Sequence, residues 1–182
     1  MRGGRILGLV AVSLLGSCSA AGSRVDPSEP VTIEDLQPLP PEVTRGNARL
    51  IVRKGLQAHR RWNALPDEQV GYLFRDVGFV QLRHETPLDR AQERISRTFV
   101  DYASISSVIG ETYFDLQFVK ERFRITLKGS FHRWEGPLRP FRALPEVGSE
   151  PWTVEQESLS LSLDDAVVTK RLMDALTLLS GR

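Results

Sequence analysis

Between residues 114 and 129 the chain reads FDLQFVKERFRITLKG, and no other stretch limits its possible folds as strongly. Phe114, Leu116 and Phe118 alternate with polar residues, and so do Phe123, Ile125 and Leu127. A period of two is the pattern of a half-buried strand. Reversing the chain at Lys120 and Glu121 sets Phe118 opposite Phe123, Leu116 opposite Ile125 and Phe114 opposite Leu127. All six apolar side chains then share one face, and cross-strand pairs of this kind stabilise a sheet. Lys-Glu is poor chemistry for a two-residue turn, so a four-residue loop with the same pairing fits better. A hairpin with one apolar face needs a core, which the rest of the chain must supply.

The neighbouring patterns supply it. Ile51, Ala58, Trp62 and Leu65 fall near helical spacing and predict a helix over 43–61, against the helix-weakening Gly46 and Gly55. A short strand over 50–53 is the competing reading. Residues 70–74 and 78–83 read as strands joined by a tight turn. Thr86, Pro87 and Asp89 offer an N-terminal cap for a short helix to about residue 96. Residues 98–102 form the next strand, and 104–110 a turn-rich link into the hairpin. Leu159, Leu161 and Leu163 alternate with serines as a last strand. Ser162, with Asp165 three residues on, can cap a final helix whose apolar stripe is Val168, Leu172, Ala175, Leu176 and Leu179. The fold class expected is therefore α+β: an antiparallel sheet of about six strands packed by an amphipathic C-terminal helix. Strands closed by one helix also resemble a pleckstrin-homology-like β-barrel with a C-terminal helix, a likeness of topology that implies no function.

With 182 residues, 41% of them hydrophobic, the chain has room for one sizeable core plus extra segments. The net charge of +1 gives no general attraction to nucleic acid, and none is expected as a partner. Cys18 is the single cysteine, so neither an internal disulfide nor a cysteine zinc cluster can form. No apolar run reaches the roughly 18 residues of a spanning helix.

The N-terminus carries an address. Arg2 and Arg5 precede a ten-residue apolar run, residues 6–15, which has the length and flanks of a secretory signal. The run ends in Leu15-Gly16-Ser17-Cys18. These residues resemble the lipobox of bacterial lipoproteins, in which a leucine and two small residues precede a cysteine. The resemblance implies cleavage before Cys18, lipidation of its sulfur, and a position in the cell envelope. Ser19 after the cysteine favours the periplasmic face of an outer membrane where one exists. The rival reading is an ordinary signal cut after Ala20 or Ala21. Removing residues 1–17 leaves 22 of the 24 basic residues against 23 acidic ones, so the mature chain is close to neutral. Residues 18–41 hold five prolines and no apolar periodicity, and read as a tether. Residues 42–182 are then a single α+β domain.

Sites are less legible. His59, His84 and His132 lack metal-ligand spacing, so neither a metal nor another cofactor is expected. The sequence holds no nucleophile elbow and no phosphate-cradling glycine loop. Triads are assembled in space, so an enzyme stays open but is the less favoured class. Arg122, Arg124 and Lys128 fall on the polar face of the second hairpin strand, where a solvated face or an anion-binding patch are both readable. Residues 131–152 hold two of the three tryptophans and four prolines, a loop of the kind that carries binding residues. Trp134, Arg139, Phe141 and Arg142 are the expected partner contacts, since tryptophan and arginine dominate binding hot spots. The function expected is a membrane-anchored envelope lipoprotein with a non-catalytic binding or assembly role toward an envelope protein, glycan or lipid. The alternative is a lipid-anchored hydrolase acting on cell-wall or lipid material. It requires a cleft that joins His84 or His132 to a carboxylate and a serine.

Overall fold

The alternating segments assemble into one antiparallel sheet. The computed structural model describes residues 32–33, 37–58, 68–85, 94–116, 118–137 and 154–181. Its strands are β1 (Glu68–Arg75), β2 (Gly78–Glu85), β3 (Arg94–Asp101), β4 (Ile105–Asp115), β5 (Lys120–Pro137) and β6 (Val154–Leu163). Helix α1 (Ala48–Ala58) precedes them and helix α2 (Ala166–Leu179) follows. The fold is α+β, as expected. The sheet is open: the order is β1-β2-β3-β5-β4, with β6 on the other side of β5. It does not close as a pleckstrin-homology-like barrel would.

Strand β5 is the axis of the sheet. Its first ten residues pair with β4, and residues 132–137 pair with β3. Strands β3 and β4 therefore lie end to end along one side of β5, joined by a 3-10 turn (Tyr102–Ser104). Asp101 caps that turn by accepting from the backbone N–H of Ala103. Gly129 sits at this corner because a Cβ there would lie 2.3 Å from the carbonyl oxygen of Ser104. On its other side β5 pairs with β6, with an extra residue between Lys128 and Phe131. Such a bulge bends the strand and increases its twist.

Both helices cover the face that carries Phe123, Ile125 and Leu127. Ile125, Leu127, Leu161, Leu163, Leu172 and Leu176 are among the fully buried side chains there. Helix α1 is shorter at its start than expected. Asn47 accepts from the N–H of Thr44 and donates to the carbonyl of Glu42, so its side chain holds a turn ahead of the helix. Helix α2 begins one cap later than expected: the Asp165 carboxylate, not Ser162, accepts from the N–H of Val168. Its stripe is as read, with Leu172, Ala175 and Leu176 buried.

Three expectations are corrected. First, the hairpin pairs Phe114 with Glu121, Thr112 with Phe123, Gly110 with Ile125 and Val108 with Leu127. That is a shift of six residues from the expected register. The faces survive because six is even, and Ile125 is fully buried as expected. Gly110 is one reason the observed register wins: a Cβ there would lie 2.4 Å from the sulfur of Met173 on α2. The expected register would put Leu116 in that place. The second reason is electrostatic: Arg122 is buried with Nη1 2.9 Å from Asp115 and Nε 2.7 Å from Asp164. Second, residues 105–110 belong to β4 rather than to a link, and 94–96 begin β3 rather than end a helix. Residues 94–96 pair with 83–85, which overrides their local helical propensity. Third, β5 runs on to Pro137, so residues 131–137 are strand and not loop. The expected helix start at 86–89 and the loop over 138–152 lie outside the described residues.

Candidate functional site

Alternation assigns each strand residue a face, and at one end of the sheet the helix-side face turns polar. Along β2 that face reads Phe79, Gln81, Arg83; along β3 it reads Val100, Thr98, Ser96. On β5 it reads Phe131, Arg133, Glu135. Phe79, Val100 and Phe131 are fully buried and complete the main core. The next row is also buried but polar: Gln81 is 5% exposed, Thr98 4% and Ser96 8%. Burying a polar group costs free energy unless a hydrogen bond compensates, so a core strand normally places an apolar residue here.

These residues form one wall of a recess of about 180 Å³. Arg83 and Arg133 complete that wall, and Gln156 and Ser158 of β6 border the other side. The Thr98 hydroxyl donates to Gln156 Oε1 at 3.3 Å, tying β3 to β6 across the space. Gln156 Nε2 in turn donates to the Ser158 carbonyl. Arg133 carries an ion pair with Glu135, so the recess is not a bare cationic site. Glutamine amides and hydroxyls both donate and accept, and arginine adds donors only. That mixture complements hydroxyl and amide groups better than it complements a naked anion.

The sequence offered a signal for this site that spacing rules do not capture. Phe79-Val80-Gln81 and Thr98-Phe99-Val100 put a polar residue in step with an apolar one on a core face. Only the pairing of β2, β3 and β5 shows that these polar residues meet.

The residues singled out from sequence are placed differently. Trp134 lies in β5 opposite Arg97, on the face away from the recess. It is half-buried against a small apolar cluster of Val80, Leu82 and Ile95. The Arg97 guanidinium carbon is 4.7 Å from the centre of its ring, a cation–π contact. Arg139, Phe141, Arg142 and Cys18 lie outside the described residues. His84 is buried, its Nδ1 3.3 Å from Gln69 Oε1, and His132 is exposed. Neither lines the recess. Most of the basic row on β5 is compensated: Asp115 and Asp164 hold Arg122, Asp164 holds Lys120, and Glu111 holds Arg124 at 3.0 Å, while Lys128 is exposed. Among the described residues no cluster of three or more metal-binding side chains occurs, and no helix is long and apolar enough to cross a membrane.

One further group is electrostatically unusual. The Tyr102 hydroxyl lies at the β3–β4 corner, in the core and beside Phe79. Burial pushes its acid dissociation well above the usual phenol range, and Arg49 offsets this in part.

Comparison of the chain with protein-family models, with curated proteins and with solved structures finds no match.

Proposed function

We propose that this chain is a lipid-anchored envelope protein that acts by binding, and that the recess beside Thr98 takes a neutral, hydroxyl-bearing group such as one sugar unit of a glycan. The observation that carries this reading is the buried polar row of Gln81, Ser96 and Thr98 on a face that is otherwise core. A cavity of about 180 Å³ is smaller than the roughly 300–1,000 Å³ of a typical small-molecule site. It therefore suits one group of a larger ligand. Its hydroxyls and amides match groups that both donate and accept. Neither His84 nor His132 lines it, so the histidine cleft that the hydrolase alternative requires does not lie at this recess.

The anchor comes from Cys18 through the lipobox resemblance. Arg139, Phe141 and Arg142 follow soon after Pro137, where β5 leaves the recess end of the sheet, and we assign them to a second contact with the same ligand or an envelope partner. Trp134 packs on β5 against Val80, Leu82 and Ile95, on the face away from the recess.

Two measurements test this. Saturation-transfer NMR with glucose and N-acetylglucosamine at millimolar concentration should give sugar signals with the wild-type chain and lose them with Thr98→Val. Equal signals from both proteins, or none from either, refute the recess assignment. Metabolic palmitate labelling should disappear in Cys18→Ala, and labelling that persists there removes the lipobox reading.

A further inference from the structure

The tip of the β4–β5 hairpin breaks the rule that an apolar alternation is buried. Phe114 is 59% exposed, Leu116 84%, Phe118 42% and Val119 75%. Four large apolar side chains thus project from one turn. An exposed cluster of this kind marks an interaction surface. Local contacts shape the tip. The Asp115 carboxylate accepts from the Phe118 N–H, and the Arg122 guanidinium lies 5.6 Å from the centre of the Phe118 ring. Val119 has φ +51°, a conformation a β-branched residue rarely adopts.

The chain's N-terminal lead bears on what the tip can reach. The Gln37 carbonyl accepts from Lys54 Nζ at 2.9 Å, and the Leu39 carbonyl accepts from Arg171 at 3.1 Å. Gly55, next to Lys54, lies against Val168 and Leu172 in the first half of α2. The lead therefore meets the domain beside the second turn of α2. The start of α2 directly follows Asp164, which holds Lys120 and Arg122 at the base of the tip. The lead thus meets the half of the domain that carries the tip. Nineteen residue steps lead from Cys18 to Gln37, so the two lie at most about 68 Å apart.

We infer that the hairpin tip inserts into the surface of the bilayer that holds the Cys18 lipid. This rests on the anchoring reading above. The tip is a convex projection rather than a groove, as shallow insertion requires. Lys120 and Arg122 at its base are matched by Asp115 and Asp164, so the contact is apolar and independent of anionic lipid. Tethering raises the tip's effective concentration at the membrane, so a tip too weak to bind alone is held there. With both attachments the domain lies against the bilayer at its tip end, and the recess at the other end of β5 points away from it.

The test uses the full-length protein bearing Leu116→Cys or, as a control on β6, Ser160→Cys. Each is labelled with the fluorophore NBD and placed in phosphatidylcholine vesicles carrying brominated acyl chains. In a lipidated protein the Cys18 sulfur is already blocked, so mass spectrometry shows one label per chain together with the mass of the lipid; two labels, or one label without the lipid mass, mean the anchoring reading has failed. In the singly labelled, lipidated protein, strong quenching and a blue shift are expected at position 116 and neither at position 160. Twenty per cent anionic lipid should change the quenching less than twofold. A label at position 116 that stays water-exposed in anchored vesicles overturns the inference. So does a label that becomes shielded only when envelope protein is added.

Discussion

The two halves of strand β5 present the same face to different company. From Phe123 to Leu127 that face lies under the two helices, and Ile125 and Leu127 are fully buried. Beyond the bulge it passes through Phe131 to Arg133 and Glu135, beside the buried Gln81 and Thr98. The first half has residues chosen for transfer out of water. The second keeps groups whose burial costs energy, at positions where apolar residues would serve stability better. The contrast separates the part of the sheet that holds the fold from the part read here as holding a ligand.

The largest effect should come from breaking the sealed half. Ile125→Ala should cost about 2–5 kcal/mol, and Phe131→Ala at the junction about 3–5 kcal/mol, read from denaturant midpoints. If Ile125→Ala costs less than Thr98→Val, the contrast between the halves is wrong.

Tyr102 sharpens the comparison at the corner between them. Its folded-state phenol dissociates well above the unfolded value of about 10. Below about pH 10 both states hold the proton and stability does not depend on this group. Above it the unfolded chain loses its proton first, so stability should fall by about 1.4 kcal/mol per pH unit until the folded value is reached. Alkaline denaturation should show this slope in the wild type, and Tyr102→Phe should reduce it. Equal slopes would mean that the hydroxyl is solvated.

Val119 tests the tip. Glycine carries no steric penalty at φ +51°, so Val119→Gly should stabilise the domain by about 1 kcal/mol, set against glycine's greater chain entropy. A loss of stability would contradict the turn geometry. The smallest effect belongs to Thr126→Ala, on the face away from the helices, at under about 0.5 kcal/mol. A cost near that of Ile125→Ala would put the register off by one.

The fold was legible where a period ran long enough. The stripe on α2, the burial of Ile125 and the leucine alternation of β6 all follow from spacing. The register of the central hairpin did not follow. Six apolar residues matched each other well on paper, but the contact between Gly110 and Met173 and the buried Arg122 with its two aspartates are tertiary facts. They decided the pairing and left Phe114, Leu116 and Phe118 outside. The recess was illegible for a related reason. Gln81, Ser96 and Thr98 are unremarkable singly, and only β2, β3 and β5 in register bring them together. Trp134 stood out by residue type, a signal that does not distinguish a binding anchor from a residue packed on a sheet.

The most direct test of the central claim compares stability with binding in one variant, Gln81→Leu with Thr98→Val. Gln156, the acceptor that Thr98 gives up, is only half-buried and can bond to water instead, so replacing these two buried polar groups with apolar groups of similar shape can be nearly neutral or stabilising. If the polar row is kept for a ligand, the denaturant midpoint should hold or rise while the saccharide signal is lost. A fall of more than about 2 kcal/mol, or an undiminished saccharide signal, would show that the row serves the fold and that the two halves of β5 do not divide stability from binding.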